Sequence, residues 1–132
     1  MRNLLIITFV LSAFMCVGQS SGGTTFSVDT LDDAETITFT YGGTIKNSLA
    51  DVFLHVACDS IAGTPAGTIK YQSSNDGVEW HTESTDTITD AAETDQSYKL
   101  TSFAGTKVRI VIVGTGTQEV ECSPSIHWKR AN

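Results

Sequence analysis

The chain has 132 residues, 40% of them hydrophobic, with 15 acidic against 8 basic side chains and a formal charge of −7. That length suits one domain and is short for two. The acidic balance repels phosphate backbones, so no nucleic acid partner is expected, and cations or basic partners are favoured instead.

The chain opens with a short basic start, Met1-Arg2-Asn3, followed by almost unbroken apolar sequence from Leu4 to Val17. Cys16-Val17-Gly18-Gln19 then places small residues at −3 and −1 of a cut after Gly18. This is the pattern of a secretory signal peptide over residues 1–18. The apolar run, about 14 residues, is short of the roughly 20 that span a bilayer. Two other fates fit the same residues: retention as an apolar anchor, which is the condition for any membrane contact, and lipidation at Cys16. Cleavage removes Arg2 and no acidic residue, so the mature chain is one unit more negative.

Residues 19–25, rich in Ser, Gly and Thr, read as a flexible leader, and residues 26–130 as a single domain. Phe26 and Val28 begin an alternation that Asp32-Asp33 breaks. Glu35 to Tyr41 is the cleanest strand pattern, with Ile37, Phe39 and Tyr41 on one face and Thr36, Thr38 and Thr40 on the other. Leu49 to Asp59 is apolar on both faces, which predicts a central strand, although a short helix over Ser48–Phe53 fits the pattern too. Ile61 to Gly67 carries the proline and glycine punctuation of a loop.

Gly67 to Glu83 holds two alternating runs around Asp76-Gly77, a strong hairpin signal. Pairing about that dipeptide sets Lys70 opposite Glu83 and Gln72 opposite His81. It sets Trp80 on the inner face with Ile69, Tyr71 and Ser73. Ser84 to Ser97 is polar and acidic and reads as a long connection. Tyr98 and Leu100 resume alternation, and Lys107 to Val113 is a second two-sided strand for a central position. Glu119 to Cys122 starts a last arm that Pro124 marks as an edge or a bulge, before Ile126 and Trp128. Seven or eight short strands without a long helix predict an all-β fold, an antiparallel β-sandwich or jelly-roll-like arrangement.

Cys58 and Cys122 are the cysteines left after cleavage. Two thiols in an exported domain predict one disulfide closing a loop of about 65 residues, the other reading being two buried free thiols. His55, His81 and His127 are scattered without metal-ligand spacing, and no Gly-x-Ser-x-Gly elbow occurs. The expectation is a non-enzyme. Asp86, Asp90, Glu93 and Asp95 could offer hard oxygen ligands to calcium, with no EF-hand spacing, and a solvated acidic loop is the other reading. Trp128 and His81 are the candidate ligand-binding residues, Trp128 as an exposed ring near the C-terminus.

Two stretches carry a resemblance. Gly63-Thr-Pro-Ala-Gly-Thr-Ile-Lys-Tyr-Gln-Ser-Ser-Asn-Asp-Gly-Val-Glu-Trp80 resembles a motif of small β-sandwich proteins encoded by tailed phages and their hosts. Lys107-Val-Arg-Ile-Val-Ile-Val-Gly-Thr-Gly-Thr-Gln118 looks like the late strand and turn that accompany it, and the pattern is distantly similar to discoidin-like sandwiches. The resemblance covers about half the mature chain and consists mainly of turn formers and core positions, so it carries no functional residue. It implies a virion accessory, decoration or fibre-associated module whose partners are other virion or cell-surface proteins. The signal segment departs from that pattern and points to an extracytoplasmic setting. A secreted carbohydrate-binding module, with glycans as partners, is the competing expectation.

Overall fold

The computed structural model describes residues 21–45, 50–89 and 93–130. The expected signal segment, 1–18, lies outside them. The described residues form nine strands: β1 (Ser21–Thr25), β2 (Asp29–Asp32), β3 (Thr36–Thr40), β4 (Ala50–Thr64), β5 (Gly67–Ser74), β6 (His81–Ile88), β7 (Glu93–Phe103), β8 (Lys107–Gly114) and β9 (Thr117–Arg130). Among them no helix is long and apolar enough to cross a membrane.

The pairing is nested. β5 pairs with β6, β4 with β7, β3 with β8 and β2 with β9, all antiparallel. This is one long hairpin ribbon with its tip at the β5–β6 turn. Rolling the ribbon brings β4 against β9 and β5 against β8, and two sheets result. One runs β1-β9-β4-β7, with β2 also on β9; the other runs β3-β8-β5-β6. Rolling of this kind makes a jelly roll, and the expected antiparallel sandwich is the observed fold.

Alternation explains why these residues roll together. Ile110 and Ile112 of β8, Ile69 and Tyr71 of β5, Val52, Leu54 and Val56 of β4, and Val120 and Ile126 of β9 are buried between the sheets. Each such aliphatic side chain contributes about 1.5–3 kcal/mol when removed from water. β4 and β8 lie inside their sheets, as their two-sided apolar patterns predict. Cys58 and Cys122 face each other in the β4–β9 register, with Cα atoms 4.3 Å apart, and are joined by a disulfide inside the core.

Four expectations need correction. Ser21–Thr25 is no leader: it is β1, paired residue for residue with β9. Its glycine lets Trp128 lie flat on the strand, since a Cβ on Gly22 would stand 2.8 Å from the indole Cζ2. The Ser84–Ser97 connection is mostly strand: Thr85 and Thr87 of β6 and Asp95 and Ser97 of β7 face outward, while Asp86, Ile88, Thr94 and Gln96 take inward positions.

β9 pairs on both sides, so Pro124 is not in an edge strand, and the register on one side slips by one residue around it. The proline sits where β1 ends and β2 has not begun. Its carbonyl faces that gap and accepts from the Phe26 N–H at 3.1 Å, so its missing N–H points where the ladder is already broken.

The fourth correction concerns the hairpin. β5 stops at Ser74 and β6 starts at His81, so the loop runs from Asn75 to Trp80. A bulge between Tyr71 and Gln72 then leaves Gln72 opposite Thr82 and Lys70 opposite Thr85. Ile69, Tyr71 and Ser73 face inward as expected. Trp80 does not join them.

Candidate functional site

The loop at the ribbon's tip is held by its own polar groups. The Asp76 carboxylate accepts from the N–H groups of Val78 (2.8 Å) and Glu79 (3.0 Å) and from Ser74 Oγ (3.0 Å). The two backbone N–H donors, more than the hydroxyl, hold its pKa below the ordinary carboxylate value. Ser74 Oγ in turn accepts from Gly77 N–H at 2.8 Å, and Gly77 takes the left-handed φ of 82° that glycine adopts without strain. Thr106 Oγ donates to the Asn75 carbonyl at 2.6 Å and ties the loop to the start of β8.

This loop bounds an open hollow of about 360 Å³, lined by Ser73, Asn75, Asp76, Glu79, Trp80 and His81. One wall is Trp80, half-buried, with the Arg109 guanidinium 4.1 Å from its ring centroid. Arg109 donates from Nε to Gln72 Oε1 at 2.7 Å, and Gln72 Nε2 donates to Thr82 Oγ1 at 2.9 Å. Burial lowers the Arg109 pKa from its usual value. The arrangement offers an aromatic face, a carboxylate and an imidazole to a polar molecule.

The expected site residues do not assemble into one site. His81 is exposed at the hollow. Trp128 lies elsewhere, on the inward side of β9, packed against the core with its indole N–H donating to Tyr41 Oη at 3.2 Å. Asp86 stands on β6 near buried Tyr71, and Asp95 stands on β7 with an oxygen 2.7 Å from His55 Nε2. Asp90 lies outside the described residues, as does the side chain of Glu93. Among the described residues, no group of three or more His, Cys, Asp or Glu is placed to hold a metal ion. The Trp80–Arg109 stack was missed because the assumed register turned Trp80 inward. The signal that could have found it is the spacing of Ser74 and Asp76, which favours a long capped loop over a two-residue turn.

The two outer faces of the sandwich differ in charge. Outward positions of β3, β8, β5 and β6 include Thr36, Thr38 and Thr40, Val111 and Val113, Gln72, and the cations Lys70 and Arg109. The paired outward positions of this face hold no carboxylate among the described residues. The outer face of the other sheet carries Asp32 opposite Glu119 and Asp59 opposite Glu121 at one end. Its other end holds Phe53 with Lys99 and Lys129 at 5.3 and 5.8 Å from the ring, Lys99 being bonded to Asp51 at 2.9 Å.

No protein-family model matches the sequence, and a search of curated proteins finds no match. Solved structures do match in fold. The infectious bursal disease virus VP2 subviral particle superposes with a TM-score of 0.58 at 12% identity, over 95% of this chain and 37% of that one. A D431N mutant of the same viral VP2 gives 0.57 at 15% identity, over 95% and 36%. The Yersinia pseudotuberculosis-derived mitogen gives 0.52 at 12% identity, over 86% and 89%. The chain thus spans little over a third of the viral VP2 chains and most of the mitogen. At such identities the likeness is one of fold.

Proposed function

We propose that this chain is a non-catalytic extracytoplasmic surface module that works through assembly contacts, as a virion accessory or decoration protein of phage type. The observation that carries the reading is a jelly roll stapled by an internal disulfide that presents two outer faces of unlike charge. Its broad outer sheet faces are suited to contact with other proteins. A disulfide of this kind persists in oxidising compartments. The VP2 chains that share this fold belong to a subviral particle and to derived T=1 particles, which supports the reading. The phage setting rests on the Gly63–Trp80 motif.

The test is mass spectrometry of purified virions beside the exported fraction of the producing cells. The protein is expected in the virion sample; recovery solely as free mature chain outside cells would remove the virion setting.

One observation favours a second reading, a secreted carbohydrate-binding module. The hollow at the ribbon's tip sets the Trp80 ring beside Asp76 and His81, and an aromatic face with polar groups around it suits a sugar ring. A glycan array probed with and without chelator separates the two. Binding lost in Trp80→Ala supports the lectin reading, and silence under both conditions ends it.

A further inference from the structure

We propose that copies of this chain stack head to tail, the threonine-rich cationic face of β3-β8-β5-β6 docking on the acidic end of the next copy's outer β2-β9-β4 surface. This rests on the reading of the chain as an assembly module and names its partner as a second copy.

The two surfaces are complementary in charge. Lys70 sits mid-face, between Val111 of β8 and Thr85 of β6, and Arg109 lies diagonally across from it beside Gln72. In a chain with 15 acidic and 8 basic residues, a sheet face whose paired outward positions hold cations and no carboxylate is set apart from the rest of the surface.

The acidic end also places like charges side by side. Asp32 and Glu119 are direct cross-strand partners, and so are Asp59 and Glu121, all four exposed. Like charges directly opposite each other destabilise a sheet. In the isolated molecule that repulsion is relieved only by solvent and salt. Lys70 and Arg109 of a neighbour, laid over those pairs, would neutralise it. Threonine rows and Val111 supply a flat surface of short side chains that lets two sheets approach closely.

The geometry decides the kind of assembly. The two faces lie on opposite sides of one sandwich, so each docked copy presents the next face outward. The contact is heterologous and does not close on itself, which produces a row of copies and not a dimer. The net negative charge of every copy opposes the contact, so it forms at high local concentration, as on a surface.

The test is sedimentation velocity over a concentration series with the mature, disulfide-bonded protein, its Lys70→Glu and Glu121→Lys variants, and their equimolar mixture. Both substitutions are at outward strand positions, and unchanged melting temperatures verify the fold. The wild type is expected to gain mass with concentration. Lys70→Glu should weaken this at least about tenfold, because like charges then face each other across the contact. The mixture should recover association, since the new acid of one variant meets the new base of the other.

Wild type that stays monomeric at every concentration overturns the proposal, and so does association that Lys70→Glu leaves intact or that the mixture fails to restore. Retention of the wild type on immobilised polyglutamate without self-association would assign the cationic face to an acidic polymer instead. A monomer that is nonetheless found in purified virions would end the stacking while leaving the assembly reading standing.

Discussion

The two tryptophans are used in opposite ways. Trp128, in the disulfide-bearing sheet, points inward, lies against Gly22 and joins the core through Tyr41. Trp80, at the edge of the other sheet, turns outward and stacks on Arg109. Both are half-buried, so exposure alone does not separate them. What separates them is where the chain leaves the ladder. Trp128 sits within β9, where period two fixes its side, while Trp80 is the last residue of a loop, where no ladder fixes it.

The sharpest test of this contrast acts on the disulfide-bearing sheet. The Cys58–Cys122 bond spans a sequence separation of 64 and ties the two longest strands together. Replacing both cysteines by alanine is expected to cost about 4 kcal/mol by the chain-entropy estimate. Denaturant midpoints of wild type and variant, each with and without reductant, measure it. Reductant should lower the wild-type midpoint and leave the variant where it is. A wild-type midpoint indifferent to reductant would mean that the sheet is held by packing alone.

The tryptophans come next. Trp128→Ala removes a ring packed on the core and strands the space over Gly22, and should destabilise by about 3 kcal/mol, the lower end of aromatic truncations. Trp80→Ala loses a cation–π stack and little core contact, and should lose about 1 kcal/mol. Paired thermal melts decide the matter. A larger loss at Trp80 than at Trp128 would reverse the assignment of inner and outer ring.

The same contrast marks how far the sequence is readable. Strict alternation within Thr36–Thr40 and the apolar run of Lys107–Gly114 announced their strands and, for the latter, its central place. Two cysteines in an exported pattern were enough to expect the disulfide. The nested order of strands was not readable, because pairings such as β2 with β9 join residues far apart in sequence and leave no local mark. β1 was hidden by composition: its glycines look like a linker, yet Gly22 makes room for a tryptophan more than a hundred residues away in the chain. Of the two candidate ligand-binding residues, His81 lines the hollow and Trp128 lies against the core. The Asp76-Gly77 dipeptide suggested a tight turn, whereas Asp76 caps a longer loop, and the ring at its end changed sides.

The smallest expected effect at neutral pH concerns the residue that Trp80 was expected to join. Tyr71 is fully buried in the sheet that turns Trp80 outward, and it stacks on Tyr98 at 5.5 Å. Among the described residues its hydroxyl has no hydrogen-bond partner in good geometry, although Asp86 stands beside it. Burial above all, and then the negative charge of Asp86, raises its pKa well above the usual 10.0. The folded chain therefore keeps the phenol protonated at a pH where the unfolded chain releases its proton. The stabilisation is complete below about pH 10 and is lost as the pH rises beyond it, because the unfolded state then binds fewer protons than the folded one. Tyr71→Phe keeps the ring and the stack and removes a buried group without a partner, so stability at pH 7 should hardly change. Above pH 10 the variant should fall less steeply than the wild type. Melting temperatures from pH 7 to about pH 11 for the two proteins test this, and coincident alkaline limbs would mean that another tyrosine or lysine sets the alkaline limit.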